Sequence, residues 1–262
     1  MLGSETKSKD ILQGLNQSLL RNINYKFQLY GSEKDIKKDI DKHKRLFGVT
    51  EIIDCDSFIS MSDKPSDILK KKDNSSMLLA VKSVRDNSSD AVLSFGNTGA
   101  LMSLSLLNIK TLHGIKRPAI ASIWPNIKGE SVVLDLGANT KLDSRYLIDN
   151  SILGSSLASI LFKIDNPSIG LLNVGVEDNK GKEEIKIASE KLKELSKNHH
   201  LNYHGYIEGS DISIGKTNVV VTDGFTGNIS LKTAEGTAKL FQSHLNDAFK
   251  STIISKIGYF LS

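Results

Sequence analysis

Two rhythms of apolar residues alternate along the chain. Short runs bounded by Gly, Asn, Asp or Ser read as strands over 25–30, 50–53, 91–94, 119–123, 132–135, 169–173 and 219–222. Between most of them, apolar residues three and four apart read as helices over 7–20, 33–46, 75–84, 98–107, 144–162 and 182–195. In the last of these, Ile185, Ala188, Leu192 and Leu195 share one face. Alternation of this kind predicts an α/β fold of three α/β/α layers, a mostly parallel sheet with helices on both faces. Ligands in such sheets bind beyond the carboxyl ends of the strands.

Those strand ends are where the small and polar residues gather. Ala91-Val92-Leu93 runs into Ser94-Phe95-Gly96-Asn97-Thr98-Gly99 and then an apolar helical stretch. Val132 to Asp135 runs into Leu136-Gly137-Ala138-Asn139, Leu171-Leu172-Asn173 into Val174-Gly175-Val176-Glu177, and Val219 to Thr222 into Asp223-Gly224-Phe225-Thr226-Gly227-Asn228. One such end is a turn, because Gly and Asx are what turns need. Four in one chain point to a shared functional edge. A helix that starts at Asn97-Thr98-Gly99 leaves unpaired N–H groups at the positive end of its dipole, a seat for phosphate or carboxylate.

From Leu231 the pattern changes. Leu231, Ala234, Ala238, Phe241, Leu245 and Ala248 form a heptad-like seam on one long helix. Packing on the chain's own domain and a two-fold helical interface both fit it. Ile253, Ile254, Ile257, Phe260 and Leu261 add a short apolar face flanked by Lys250 and Lys256, which fits an interfacial membrane contact or a core helix. The expected domains are therefore a core over 1–228 and a helical dimerisation and membrane-contact element over 229–262.

The 262 residues, 39% of them hydrophobic and 24% charged, belong to an ordinary globular composition. A net charge of +4, with no basic tract interleaved with aromatics, excludes a nucleic-acid signature but favours an acidic partner. Cys55 is the only cysteine, so no disulfide framework or thiolate zinc site is available, and a reducing cytoplasm fits. No apolar run is long enough to span a bilayer. His199, His200 and His204 lie in a polar loop without a partnering carboxylate pattern and read as surface residues, so no metal is expected. No Gly-x-Gly-x-x-Gly follows a strand, which disfavours a dinucleotide enzyme.

In order along the chain stand Asp63-Lys64-Pro65-Ser66, Lys70-Lys71-Lys72, Ser75-Ser76-Met77, Gly96 to Met102 and Arg117-Pro118-Ala119. They continue through Leu134 to Asn139, Gly170 to Gly175, Lys180-Gly181, Gly205 to Gly209, Asp223 to Asn228 and Leu231 to Gly236. This ordered set resembles the bacterial phosphate acyltransferases of phospholipid synthesis. The resemblance implies an enzyme making acyl phosphate from acyl-[acyl-carrier-protein] and orthophosphate, without a cofactor. It implies a fold like that of isocitrate dehydrogenase and phosphotransacetylase. It further implies a cytoplasmic homodimer, peripheral at the inner membrane face, that passes its product to a glycerol-3-phosphate acyltransferase. Against the family pattern, the chain is expected to lack the first strand and a C-terminal segment, and Val176 stands where the family has an acid.

Phosphorolysis of a thioester needs no protein nucleophile, since phosphate attacks through its own oxygen. The protein must hold the reactants together and stabilise the oxyanion. The expected catalytic residues are Asn97, Asn139 and Lys232, with Lys232 one turn into the helix that follows a Gly227-Asn228 turn. Thr98, Gly99, Gly227, Asn228 and Lys180 are the expected phosphate ligands. Asp135 and Asp223 orient the site or hold its turns. Lys64, Lys70, Lys71 and Lys72 form a surface for an acidic carrier protein. A coenzyme A-dependent phosphotransacylase of the same fold and a non-catalytic truncated homologue are the alternatives.

Overall fold

The computed structural model describes residues 6–21, 24–63, 74–198 and 201–250. The chain divides into two compact units, the first ending at Pro118 and the second starting at Ala119. That boundary falls inside the segment expected to form one core.

In the first unit, α1 (Ser8–Ser18), β1 (Phe27–Gly31), α2 (Glu33–Ile40) and β2 (Thr50–Asp54) make a parallel strand pair covered by helices. Leu12, Leu29, Ile36, Ile40 and Leu46 pack there as one cluster. The helix expected over 33–46 stops at Ile40, and only a short 3-10 turn (Lys44–Leu46) follows. Its apolar seam ends with Ile36 and Ile40, and the next core side chain, Leu46, comes six residues later, off the helical period. The helices α3 (Ser76–Arg85) and α4 (Thr98–Asn108) share a second cluster of Ile59, Met77, Val81, Ala100 and Leu104. The strand expected over 91–94 pairs with no described strand: Val92 packs against that cluster, while Leu93 is 71% exposed. Three apolar residues without a neighbouring ladder do not make a strand.

The second unit is a five-stranded sheet in the order β3-β4-β7-β5-β6, with β3 (Ala121–Asn126), β4 (Gly129–Leu134), β5 (Ser168–Leu172), β6 (Asn202–Ile207) and β7 (Val219–Val221). Only β3 is antiparallel, to β4; the other pairings are parallel. Side chains alternate between faces. Val132, Leu134, Ile169, Leu171, Val219 and Val221 meet Leu147, Ala158, Ala188 and Leu192 of α5 (Ser144–Phe162) and α6 (Glu183–Lys197). On the other face Val133, Leu172 and Val220 meet Ile212 of α7 (Gly209–Ile214) and Leu231 of α8 (Gly224–Lys250). This is the predicted three-layer arrangement. β6 and α7 escaped the sequence reading because His204 and Gly205 interrupt the apolar run of β6 and α7 has only six residues.

The long C-terminal helix begins at Gly224, earlier than its seam suggests. Gly227 and Asn228 therefore lie in its opening turns and form no separate turn ahead of it. No helix among the described residues is long and apolar enough to cross a membrane. The lysines 64, 70, 71 and 72, His199, His200 and the apolar face of 253–261 lie outside the described residues.

Candidate functional site

The carboxyl ends of β4, β5, β6 and β7 all open on one edge of the sheet, because those strands run parallel. Asp135 follows β4 there, with no solvent exposure. A buried carboxylate is costly unless its lone pairs are filled, and here they are. Oδ1 accepts from the backbone N–H of Ile120 (3.1 Å), Gly137 (3.0 Å) and Ala138 (2.9 Å). Oδ2 accepts from the N–H of Asn139 (2.8 Å), its side-chain amide (3.3 Å) and the hydroxyl of Tyr146 (2.7 Å). The 136–139 loop is thus folded around an internal anion. The amides of Gly137, Ala138 and Asn139 face Asp135, and Asn139 directs its Nδ2 to Asp135 and to Tyr146 Oη (2.6 Å).

Against this loop sits the start of α8. Asp223 caps it, accepting from the N–H of Phe225 and Thr226 at 3.0 Å each and from the Thr226 hydroxyl at 2.7 Å. The Gly224 N–H donates to the Asn139 carbonyl at 2.8 Å. Gly227 is required by close approach: a Cβ there would overlap the Asp135 carbonyl oxygen. A Cβ on Gly137 would lie 2.9 Å from Nδ2 of Asn228, so the loop and the Asn228 side chain are in direct register. Asn228 itself is exposed. Lys232 stands eight residues after Gly224, about 12 Å along the axis. Its ammonium lies 2.9 Å from Glu235, on a side chain that is 66% exposed.

At the end of β5, the buried Asn173 clasps the next loop, donating from Nδ2 to the carbonyls of Gly175 (3.0 Å) and Lys180 (3.2 Å). The backbone at Lys180 is thereby fixed, while its side chain belongs to an exposed residue.

The first unit carries an open helix start of its own. Asn97 caps α4: its Oδ1 accepts from the Ala100 N–H (3.0 Å), and its Nδ2 donates to the carbonyls of Ser60, Met61 and Asp63 at 3.1–3.3 Å. Its carbonyl accepts from Leu101 N–H. The amides of Thr98 and Gly99 have no hydrogen-bond partner among the described residues. Thr98 is exposed and Gly99 half-buried, so an 11-residue helix presents two unpaired donors at its positive end. The Asn97 side chain builds this end and does not project from it.

Of the residues singled out in the sequence, Asp135, Asn139, Asp223, Gly227 and Asn228 come together at one edge of the second unit, whereas Asn97, Thr98 and Gly99 belong to the first. Tyr146 is the participant that sequence reasoning passed over. It sits in α5, where an aromatic at helical spacing reads as core, and only its hydroxyl joins the site.

The fatty acid synthesis protein family matches residues 1–262. The chain is 44% identical over 262 residues to "Phosphate acyltransferase" of Xanthobacter autotrophicus (strain ATCC BAA-1158 / Py2), covering 100% of this chain and 73% of that protein. It is 42% identical over 260 residues to the protein of the same name from Sinorhizobium medicae (strain WSM419), covering 99% of this chain and 75% of that one. Among solved structures, the EutD phosphotransacetylase from Staphylococcus aureus superposes with a TM-score of 0.57 at 15% identity, over 89% of this chain and 88% of that one. That likeness is one of fold.

Proposed function

The chain belongs to the fatty acid synthesis protein family as a phosphate acyltransferase, and we propose that the Thr98 and Gly99 amides seat its orthophosphate. The reaction converts acyl-[acyl-carrier-protein] and orthophosphate to acyl phosphate for phospholipid synthesis. A phosphate oxygen adds to the thioester carbonyl carbon, the C–S bond breaks, and the thiol leaves with a proton from hydrogen phosphate. No covalent enzyme intermediate is needed.

The observation that carries the seat is the pair of unpaired donors on α4, held open by Asn97. Oriented amides at a helix start bind an anion without reorganising when charge develops. The second unit is read by itself: there Gly227, Asn228 and Lys180 are the proposed phosphate ligands, with Lys232 and Asn139 as catalytic groups. Asp135 and Asp223 orient them, as their hydrogen bonds to the 136–139 loop and the α8 start support. Lys64, Lys70, Lys71 and Lys72 dock the acidic carrier protein.

The exposed apolar side chains of α8, Leu240, Phe241 and Leu245, support a homodimer built on that helix. Peripheral contact with the inner membrane face and hand-over to a glycerol-3-phosphate acyltransferase complete the reading.

The test offers the chain long-chain acyl-carrier-protein and phosphate, traps acyl phosphate with hydroxylamine, and runs acyl-coenzyme A in parallel. Product from the carrier-protein thioester is expected. Product from coenzyme A alone would turn the assignment toward the coenzyme A-dependent alternative. Asn97→Ala and Lys232→Ala belong in the same assay. Full activity in both would remove these two residues from the site.

A further inference from the structure

Tyr146 stands far from any strand end in its local pattern and yet its hydroxyl holds two residues of the loop after β4, Asp135 and Asn139. It lies buried on α5, in the layer that covers β4 and β7. Its hydroxyl donates to Asp135 Oδ2 at 2.7 Å and accepts from Asn139 Nδ2 at 2.6 Å. The first is a short, charge-assisted bond, among the stronger in a protein interior. The second fixes which way the Asn139 carboxamide faces.

Both partners lead onward to α8. The Asn139 carbonyl receives the Gly224 N–H at 2.8 Å, and the Asp135 carbonyl lies against Gly227. The loop that Asp135 gathers brings Gly137 up to the Asn228 side chain. Moving Tyr146 Oη therefore moves the loop, and moving the loop moves Asn228.

We propose that Tyr146 is a positioning residue of the acyl transfer, setting the orthophosphate-binding geometry of Asn228 through the Asp135–Asn139 loop. The proposal rests on the reading of Asn228 as a phosphate ligand. It assigns Tyr146 no contact with substrate and no proton transfer. Its hydroxyl is there to hold a carboxylate and a carboxamide in one arrangement.

The experiment is a double-mutant cycle of Tyr146→Phe and Asn228→Ala, with Tyr203→Phe as the control. Tyr203 is a second buried tyrosine of the same unit whose hydroxyl bonds Ser189 Oγ at 2.8 Å, between β6 and α6. Each tyrosine variant loses one hydroxyl and keeps its ring; Tyr146→Phe should cost the more melting temperature, since its bond to Asp135 is charge-assisted, and the kinetic constants carry the comparison. Tyr146→Phe is expected to lower kcat/KM for phosphate by about ten- to a hundredfold, the scale known for cutting the hydrogen bonds that orient metal ligands and applied to the orientation of Asn228. KM for the acyl thioester should stay unchanged. Tyr203→Phe should leave both constants alone. In the double variant the losses should not add, because both act on one group.

A Tyr146→Phe enzyme with the kinetics of the Tyr203→Phe control overturns the proposal while leaving Asn228 in place. Additive losses overturn it as well, since they detach Tyr146 from Asn228. An Asn228→Ala enzyme of full activity instead overturns the ligand assignment and with it this inference.

Discussion

Replacing Gly227 by alanine should disable the enzyme while barely changing its composition. The added Cβ would lie 3.0 Å from both the Asp135 carbonyl carbon and Thr222 Cγ2, and inside the van der Waals shell of the Asp135 oxygen. The nearest atom is backbone, so no side chain can swing away. A relaxed carbon-to-oxygen contact is about 3.3 Å or longer, and restoring it requires the α8 start to retreat by about 1 Å or more. That retreat strains the Gly224 to Asn139 hydrogen bond and carries Asn228 off the loop. Overpacking of this kind costs about 1–3 kcal/mol, and a displacement of about 1 Å at a reacting site can cost a hundredfold in rate. Gly236, in the same helix with open space around its Cα, supplies the comparison. Gly236→Ala should gain up to about 1 kcal/mol from helix propensity and keep full activity. Thermal melts followed by circular dichroism and acyl phosphate formation measure both variants. A Gly227→Ala enzyme that melts and turns over like wild type would refute the close approach and the geometry built on it.

Asp135→Asn puts an amide nitrogen where N–H donors converge and should cost about 2–3 kcal/mol, read as a lower urea midpoint; an unchanged midpoint would show that those donors do not depend on the charge. Burial raises Tyr146 and Tyr203 well above the ordinary tyrosine value of about 10. A raised folded pKa means this contribution to stability is full below about pH 10 and is lost as the pH climbs toward the folded ionisation. Urea midpoints should therefore hold up to about pH 10 and fall above it, less steeply in the Tyr146→Phe, Tyr203→Phe double variant; a slope identical in both proteins contradicts the linkage. Phe241→Glu, on the exposed seam of α8, should shift sedimentation from dimer to monomer, whereas a wild-type chain that already sediments as a monomer removes the helix as an interface.

The sheet was legible because β4, β5 and β7 carry runs of Val, Ile and Leu buried on both faces, and such runs end sharply at Gly and Asx. The helices over 144–162 and 182–195 were legible from their spacing. What stayed hidden depended on partners. The 91–94 run had strand composition but no ladder to join. The Gly224 to Asn228 segment looked like a turn because Gly disfavours helices, and it became helical only because Asp223 caps it and two backbones need the room. Three of the four strand-end motifs gather at one edge of the sheet, as their shared composition suggested, but no motif marked the direction of each donor. Asn97 and Asn139 read as catalytic residues in sequence, and their side chains are engaged with the protein's own carbonyls, carboxylate and phenol. No local pattern marks Tyr146, since its reach to Asp135 crosses from helix to strand end.

The order of strands also bears on how the chain comes to be made. β7 is three residues long, is the last of the described strands, and lies between β4 and β5. A ribosome delivers β4 and β5 well before Val219 to Val221 emerge. Until then the two earlier strands have facing edges with nothing to join them, and pairing directly would give a wrong sheet. Strands exposed in this way are aggregation-prone, and distant pairing folds slowly. The second unit thus completes its sheet only after Val221 has emerged. A nascent chain arrested before Val219 should depend on chaperones, and one released after α8 should not.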